Sequence, residues 1–300
     1  MVAEIISGNQ VAKTMREELT LKVAKLKEEK NVIPGLAVIL VGEDPASVSY
    51  VTAKGKAATE LGIFEETYKM PADTPEADVL AKVEELNNDP RFHGILVQLP
   101  LPKHIDEEKV LLKINPDKDV DGFHPMNVGR MVVGKPGFLP CTPNGIKELL
   151  LRSGNDPAGK HVVIVGRSNI VGKPMMNILV QKTEGANATV TVCHTRTKDM
   201  AAITKQADIL IVAAGVPEMV KADMVRDGVV VIDVGVNRVG MKPSKKDPNK
   251  MVADLRGDVA FDEVKEKASF ITPVPGGVGP MTITMLMVNT YESALRTANQ

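Results

Sequence analysis

Tryptophan is absent from this 300-residue chain, and aromatic residues make up only 3% of it. A surface that stacks nucleic-acid bases needs Phe, Tyr or Trp set out on a platform, so that class of partner is disfavoured. A dominant charge is also lacking. Lys and Arg number 37 against 38 Asp and Glu, a formal net charge of -1, and such a balance creates no global field to draw in nucleic acid or an anionic membrane. An anionic ligand must therefore meet a local cluster. The two cysteines, Cys141 and Cys193, stand far apart and outside CxxC spacing. They suggest neither a disulfide framework nor a zinc site, and a reducing, cytoplasmic compartment is expected. The five histidines are scattered without ligand spacing to Cys, Asp or Glu, so no metal is expected. No apolar run approaches the ~18 residues of a membrane span, and the start MVAEIISGNQ lacks both the basic and the apolar part of a signal peptide. Neither a membrane nor a nucleic acid is expected as a partner.

What is present has the mix of a globular protein, 43% apolar and 25% charged. The length suggests two lobes. Val11, Met15, Leu19, Val23 and Leu26 recur at helical spacing between Gln10 and Lys30. The run LAVILVG then reads as a strand covered on both faces. Strand and helix go on alternating: a helix over 46–61 ended by Gly62, a strand over 64–70, a helix over 76–86, and a strand in HGILVQLPLP at 93–102. After Pro140 and a helix over 143–152 the alternation restarts with HVVIVGRSNIVGKP, ATVTVCH, ADILIVAAG and GVVVIDVGVNRV, and a helix over about 282–297 closes the chain. The expected fold is α/β with two α/β lobes, the C-terminal one a Rossmann-like doubly wound parallel sheet, and a catalytic cleft between them. The lobes are expected at 1–140, completed by a helix at 283–300, and at 141–282.

In VVIVGRSNIVGKP, Gly166, Arg167, Ser168 and Gly172 follow a strand and precede a helix with Pro174 early in it. There a doubly wound sheet binds phosphate, because glycine lets backbone amides approach and the helix N-terminus supplies N–H donors. The spacing departs from GxGxxG, and glycines in a tight βα turn are the plainer alternative. The next strand, TVTVCH, lacks the terminal acid that would bind an adenosine ribose hydroxyl; Thr195 and Arg196 follow instead. With Arg167 they suit a 2'-phosphate, favouring NADP over NAD, although Arg196 and Lys198 equally suit a solvated loop. Ala214 and Gly215 would give the cofactor a floor of small residues.

In the first lobe Tyr50 and Lys54 lie four apart on one helix and share a face. By spacing alone, a helical lysine is ordinarily a solvated charge. Gln98 sits inside an apolar strand, where its amide needs a partner, structural or functional. KDVDGFHP presents Asp119 and Asp121 beside Gly122, as turn formers or as carboxylates offered to a ligand. His124 and His194 read as loop residues, and Lys56 as a solvated lysine or a contact for an anionic tail.

Tyr50 with Lys54, the VQLPLP strand with Gln98, DKDVDGFHPMNVG with Asp121, PCTPNG, VGRSNIVGKP and ITPVPGGVGPMT stand in one order over nearly the whole chain. Together they resemble the bifunctional methylenetetrahydrofolate dehydrogenase/methenyltetrahydrofolate cyclohydrolases. The resemblance implies oxidation of 5,10-methylenetetrahydrofolate with NADP, then hydrolysis to 10-formyltetrahydrofolate, in one-carbon metabolism that feeds purine biosynthesis. It implies that Lys54 is central to the hydrolytic step with Gln98 as partner, that Tyr50 lines the folate site, and that Asp121 binds the pterin ring. It further implies a backbone wall of Pro275, Gly276, Gly277 and Val278 near folate and nicotinamide. Arg167, Ser168, Thr195, Gly215, Val236 and Thr282 are carried over to the NADP site. The implied partners are tetrahydrofolate derivatives, polyglutamylated forms among them, and a second copy of the chain in a homodimer. The family commonly has Ser where Thr195 stands, which keeps the hydroxyl, and QKTEGANATV is longer than in some relatives. A dehydrogenase without the hydrolytic activity, or a silent folate- or nucleotide-binding protein, are the competing readings; NADPH formation from methylenetetrahydrofolate separates the second from either enzyme.

Overall fold

The computed structural model describes residues 2–244, 247 and 251–299. In chain order the elements are β1 (Glu4–Ile5), α1 (Gly8–Lys30), β2 (Gly35–Val41), α2 (Pro45–Glu60), β3 (Phe64–Met70), α3 (Glu76–Asn88), β4 (Gly94–Val97), α4 (Glu107–Lys113), α5 (Pro125–Val132) and α6 (Cys141–Arg152). They continue with β5 (His161–Val165), α7 (Gly172–Leu179), β6 (Thr189–Cys193), α8 (Met200–Thr204), β7 (Ile209–Val212), β8 (Val230–Asp233), β9 (Asn237–Pro243), β10 (Met251–Arg256), α9 (Phe261–Val264), β11 (Phe270–Ile271) and α10 (Val278–Ala298). The chain divides into two compact units, Lys13–Cys141 with Ile283–Gln300, and Met1–Ala12 with Thr142–Thr282.

The first of these units is built on a three-stranded parallel sheet in the order β3-β2-β4. The central strand is the apolar run GLAVILV, buried at all seven positions. That is the pattern of a parallel strand covered on both faces. One face packs Ala37, Ile39 and Val41 with Val79, Val83 and Leu86 of α3 and with Val110 of α4. The ladder runs one residue past β4, because the Gln98 N–H donates to Ile39 O at 2.9 Å; it stops before Pro100, which has no N–H to give. The helix α10 is tied into this unit by side chains. Ser293 donates to the carbonyls of His93 and Asp117, and Asn289 to those of Val120 and Leu139.

The second unit holds a six-stranded parallel sheet in the order β1-β11-β8-β7-β5-β6. The chain leaves β5 for β6 on one side and then returns to β7 on the other. The order therefore reverses at β5, which makes the crevice at the carboxyl ends of β5 and β7 the switch point where open α/β sheets bind ligands. The segment through Ala12, expected with the first lobe, groups with this unit in the structure, where β1 pairs in parallel with β11. GVVVIDVGVNRV, expected only as a segment of the continuing alternation, spans β8 and the start of β9. It breaks at Asp233, and its second part, β9, forms a separate antiparallel ribbon with β10.

Candidate active site

The side chain of Asp44 accepts the Ser47 N–H at 2.8 Å and Pro45 opens the first turn, so α2 starts with a cap and a fixed φ. Ser47, Val51, Lys54, Ala57 and Ala58 form its buried face. Lys54 thus lies within the apolar stripe, only 7% exposed. Its Nζ donates to Gln98 Oε1 at 2.9 Å, and the Gln98 amide donates in turn to Leu99 O at 2.6 Å. Burial lowers the Lys54 pKa, opposed by the charge of Asp121. Tyr50 is exposed, with its ring centroid 5.6 Å from Lys54 Nζ. The structure thus brings Tyr50, Lys54 and Gln98 together with Asp121 near enough to bear on Lys54's charge.

Asp121 is presented by a turn that Asp119 organises. Asp119 is 1% exposed and accepts from the N–H groups of Gly122, Phe123 and His124 and from Asn127 Nδ2. Gly122 is required there, with φ +78 and a would-be Cβ 2.7 Å from Leu139 C and Pro140 N. Asp121 itself is pushed up to about 6, chiefly by desolvation, with Lys54 pulling it down and Asp119 pushing it up. Burial also pushes the Cys141 thiol well up, so it stays protonated, and it donates to Val120 O at 3.4 Å. The result is a polar cluster in an apolar setting: one lysine with a lowered pKa, one amide acceptor and one carboxyl titrating near neutrality. Such opposed shifts suit proton transfer.

In the second unit, β5 runs into Gly166 at φ +125, whose Cβ would lie 2.1 Å from Ala213 O, and a Cβ on Gly172 would lie 2.2 Å from Gly166 O. Both glycines are therefore fixed by backbone approach at the switch point, and they leave a cradle that side chains would fill. The Ser168 hydroxyl accepts from the N–H groups of Val171 and Gly172, closing the start of α7. Arg167, Thr195, Arg196, Gly215 and Val236 are exposed, and Ala214 is half-buried. Thr282 Oγ1 lies 2.8 Å from Thr142 Oγ1. Pro275 is exposed, whereas Gly277 and Val278 are buried.

A family model of the catalytic domain of tetrahydrofolate dehydrogenase/cyclohydrolase matches residues 6–121, and the NAD(P)-binding domain of the same family matches residues 140–298. The chain belongs to the tetrahydrofolate dehydrogenase/cyclohydrolase family. It is similar to the bifunctional protein FolD of Desulfosudis oleivorans, 59% identical over 295 residues that cover 98% of this chain and 97% of that one. The bifunctional FolD enzyme of Campylobacter jejuni has a similar solved structure, with a TM-score of 0.90, 47% identity, and coverage of 98% of this chain and 99% of that one. The Trypanosoma brucei FolD structure, solved with NADP and an inhibitor, has a TM-score of 0.91 at 40% identity and covers 100% of both chains. The lysine-bearing unit therefore holds most of the family's catalytic domain, and the glycine turn lies in its NAD(P)-binding domain.

Sequence reasoning passed over two buried carboxylates of the NAD(P)-binding domain, Asp233 and Asp258. Each stands at the end of an apolar or glycine-bounded stretch, VVVID and RGDVA. A carboxylate in such a place must be held by donors, which was the available signal. It likewise passed over Asn289, whose amide joins the chain beside Asp121 to Leu139.

Proposed function

We propose that this chain oxidises 5,10-methylenetetrahydrofolate with NADP and hydrolyses the 5,10-methenyltetrahydrofolate formed to 10-formyltetrahydrofolate. The observation that carries the reading is the buried Lys54, hydrogen-bonded to Gln98 and lowered in pKa by desolvation. When bound, NADP accepts the hydride. The bridging carbon of the substrate lies between two nitrogens whose lone pairs stabilise the cation left behind, so the oxidation needs no protein base. What the protein contributes to it is alignment.

Hydrolysis needs more. Water attacks the cationic carbon and gives up one proton; the C–N5 bond then breaks as N5 takes a proton, and the carbinol hydroxyl releases its own proton to solvent as the formyl C=O forms. Lys54, kept partly neutral by burial, takes the first proton and returns it to N5. Gln98 holds the Lys54 amine in place, Tyr50 lines the folate, and the Asp121 carboxylate accepts hydrogen bonds from adjacent pterin N–H groups. Pro275, Gly276 and Gly277 supply a backbone wall for the substrate.

For NADP, the cradle left by Gly166 and Gly172 fits a pyrophosphate, and the Arg167, Thr195 and Arg196 side chains fit a 2'-phosphate. Ser168, Ala214, Gly215, Val236, Val278 and Thr282 line the rest. The formyl product suits one-carbon transfers such as those of purine biosynthesis in the cytoplasm. A homodimer is supported by the β9–β10 ribbon, which leaves Val239, Met241, Met251 and Val252 exposed; sedimentation of the full chain tests that.

The test of the catalytic assignment is Lys54→Met, with NADPH formation and methenyltetrahydrofolate hydrolysis followed separately. Hydrolysis is expected to fall by about 10²–10⁴-fold, with NADPH formation still measurable. An unchanged hydrolysis rate removes Lys54 from this role.

A further inference from the structure

In the NAD(P)-binding domain two buried carboxylates stand one behind the other, and the reaction just described uses neither. Asp258, 0% exposed, accepts through Oδ2 from the backbone N–H groups of Ala214 at 2.7 Å and Gly215 at 2.8 Å, and through Oδ1 from Asn237 Nδ2 at 2.8 Å. Behind it, Asp233 Oδ1 accepts from the N–H groups of Asp258 at 2.9 Å and Gly235 at 3.0 Å, and its Oδ2 accepts from Val259 N–H at 3.0 Å. The Asp233 N–H is itself spent on Thr272 Oγ1 at 2.8 Å. Room is kept for both carboxylates by glycine: a Cβ on Gly257 would lie 1.8 Å from Asp233 Oδ2, and one on Gly235 would lie 2.2 Å from Asp258 Oδ1.

Buried charges cost stability unless every lone pair finds a donor, and an apolar filler of similar size is often the more stable choice. The pair must therefore be judged by what it holds. Asp258 grips the turn that follows β7, and Ala213 O of that segment is the atom that excludes a Cβ from Gly166. The turn thus forms the wall facing the glycine cradle at the switch point. Its outer side is open, since a Cβ on Gly215 would meet nothing within 4 Å. With the Ala214 and Gly215 N–H groups drawn inward onto Asp258, neither of these two amides is offered to a ligand. An anionic phosphate is left to the donors of the Gly166–Gly172 turn.

We infer that Asp258, set in place by Asp233, is a positioning residue for NADP: it fixes the Ala214–Gly215 turn, with both its amides turned inward, as a wall of the cofactor site. This rests on the proposal that Ala214 and Gly215 line that site, and the experiment separates the two. In the full chain, Asp258→Asn replaces one acceptor oxygen with a donor that must face either the turn or Asn237. NADP affinity by calorimetry, KM for NADP against kcat, and hydrolysis of supplied methenyltetrahydrofolate without NADP are measured. Charged hydrogen bonds of this kind imply a loss of NADP affinity of roughly 10- to 100-fold, with kcat at saturating NADP changed little and hydrolysis retained.

Gly215→Asn is the companion, since Asn tolerates the left-handed backbone at φ +68 and would project from the open side. It is expected to weaken NADP as well. If Gly215→Asn weakens NADP and Asp258→Asn does not, the positioning role is overturned while the wall stands. If neither does, both readings fall. A parallel decline of hydrolysis and NADPH formation at unchanged KM marks Asp258 as merely structural and also overturns the inference. Should Asp258→Asn not fold, Asn237→Ala removes the donor to Oδ1, along with a longer hydrogen bond to Arg256 O at 3.3 Å, while leaving the carboxylate itself in place, and an unchanged KM for NADP there counts against the proposal in the same way.

Discussion

Replacing Gln98 with leucine removes the neutral acceptor of Lys54 while keeping a side chain of similar bulk. The lost contact is the 2.9 Å hydrogen bond from Lys54 Nζ to Gln98 Oε1, made where Lys54 is 7% exposed. A hydrogen bond to a charged group is worth about 1.5–3 kcal/mol, and the ammonium gains more from the carbonyl than the neutral amine does. Its removal therefore destabilises the charged form. At about 1.4 kcal/mol per pKa unit, Lys54, already lowered by burial, should fall by a further ~1–2 units. Because the neutral amine takes the proton from water, the acid limb of the hydrolysis profile should move to lower pH by the same ~1–2 units. The plateau should drop by roughly 10- to 100-fold, because the amine is no longer held in line with the water. The assay is the loss of methenyltetrahydrofolate absorbance across pH, corrected for the buffer reaction, on Gln98→Leu and the parent chain. An acid limb that stays in place or moves to higher pH refutes the assignment of Gln98 as the group that stabilises charged Lys54. A collapse of NADPH formation alongside hydrolysis refutes its restriction to the hydrolytic step.

Gly122→Ala forces a Cβ to within 2.7 Å of the Leu139–Pro140 backbone at φ +78. It should cost about 2–4 kcal/mol in urea unfolding and raise the KM for folate through the displaced Asp121, with NADP affinity unaltered. Arg196→Ala should narrow the preference for NADP over NAD by roughly 10- to 100-fold in kcat/KM through loss of charge-assisted hydrogen bonds to the 2'-phosphate. Methenyltetrahydrofolate hydrolysis should be unchanged, and an unaltered preference would return Arg196 to the status of a solvated loop residue.

The elements that bury one continuous apolar run were legible from the chain itself. GLAVILV is a strand buried at every position; the half-exposed FEETYKM, which carries no such run, is nonetheless a strand over the whole expected range, 64–70. What escaped was whatever depends on partners distant in sequence. The two-residue β1 joins β11 across almost the whole chain, and no local period announces such a pairing. In GVVVIDVGVNRV the apolar residues resume after Asp233, so the break is not evident from composition. Yet Asp233 bends the chain by accepting the N–H of Gly235, two residues on, and the strand ends there.

Lys54 shows the same physics from the other side. Spacing from Tyr50 alone makes it a surface charge, but the stripe Ser47, Val51, Lys54, Ala58 advances by four, three and four residues and carries Lys54 through the buried face of α2. Gln98 in ILVQLP and Asp258 in RGDVA repeat the pattern: Gln98 follows the buried strand Gly94–Val97, and Asp258 lies between the buried Gly257 and Val259. Each such group must find a partner, and the partner names the task. For Lys54 it is Gln98, one hydrogen-bond acceptor beside the charge of Asp121, which engages one of the ammonium's three protons. For Asp258 it is three N–H donors that engage both oxygens and hold the carboxylate in place. Hydrogen-bonding capacity left over thus separates a group suited to react from one suited to hold, and on this ground we propose chemistry for Lys54 and position for Asp258.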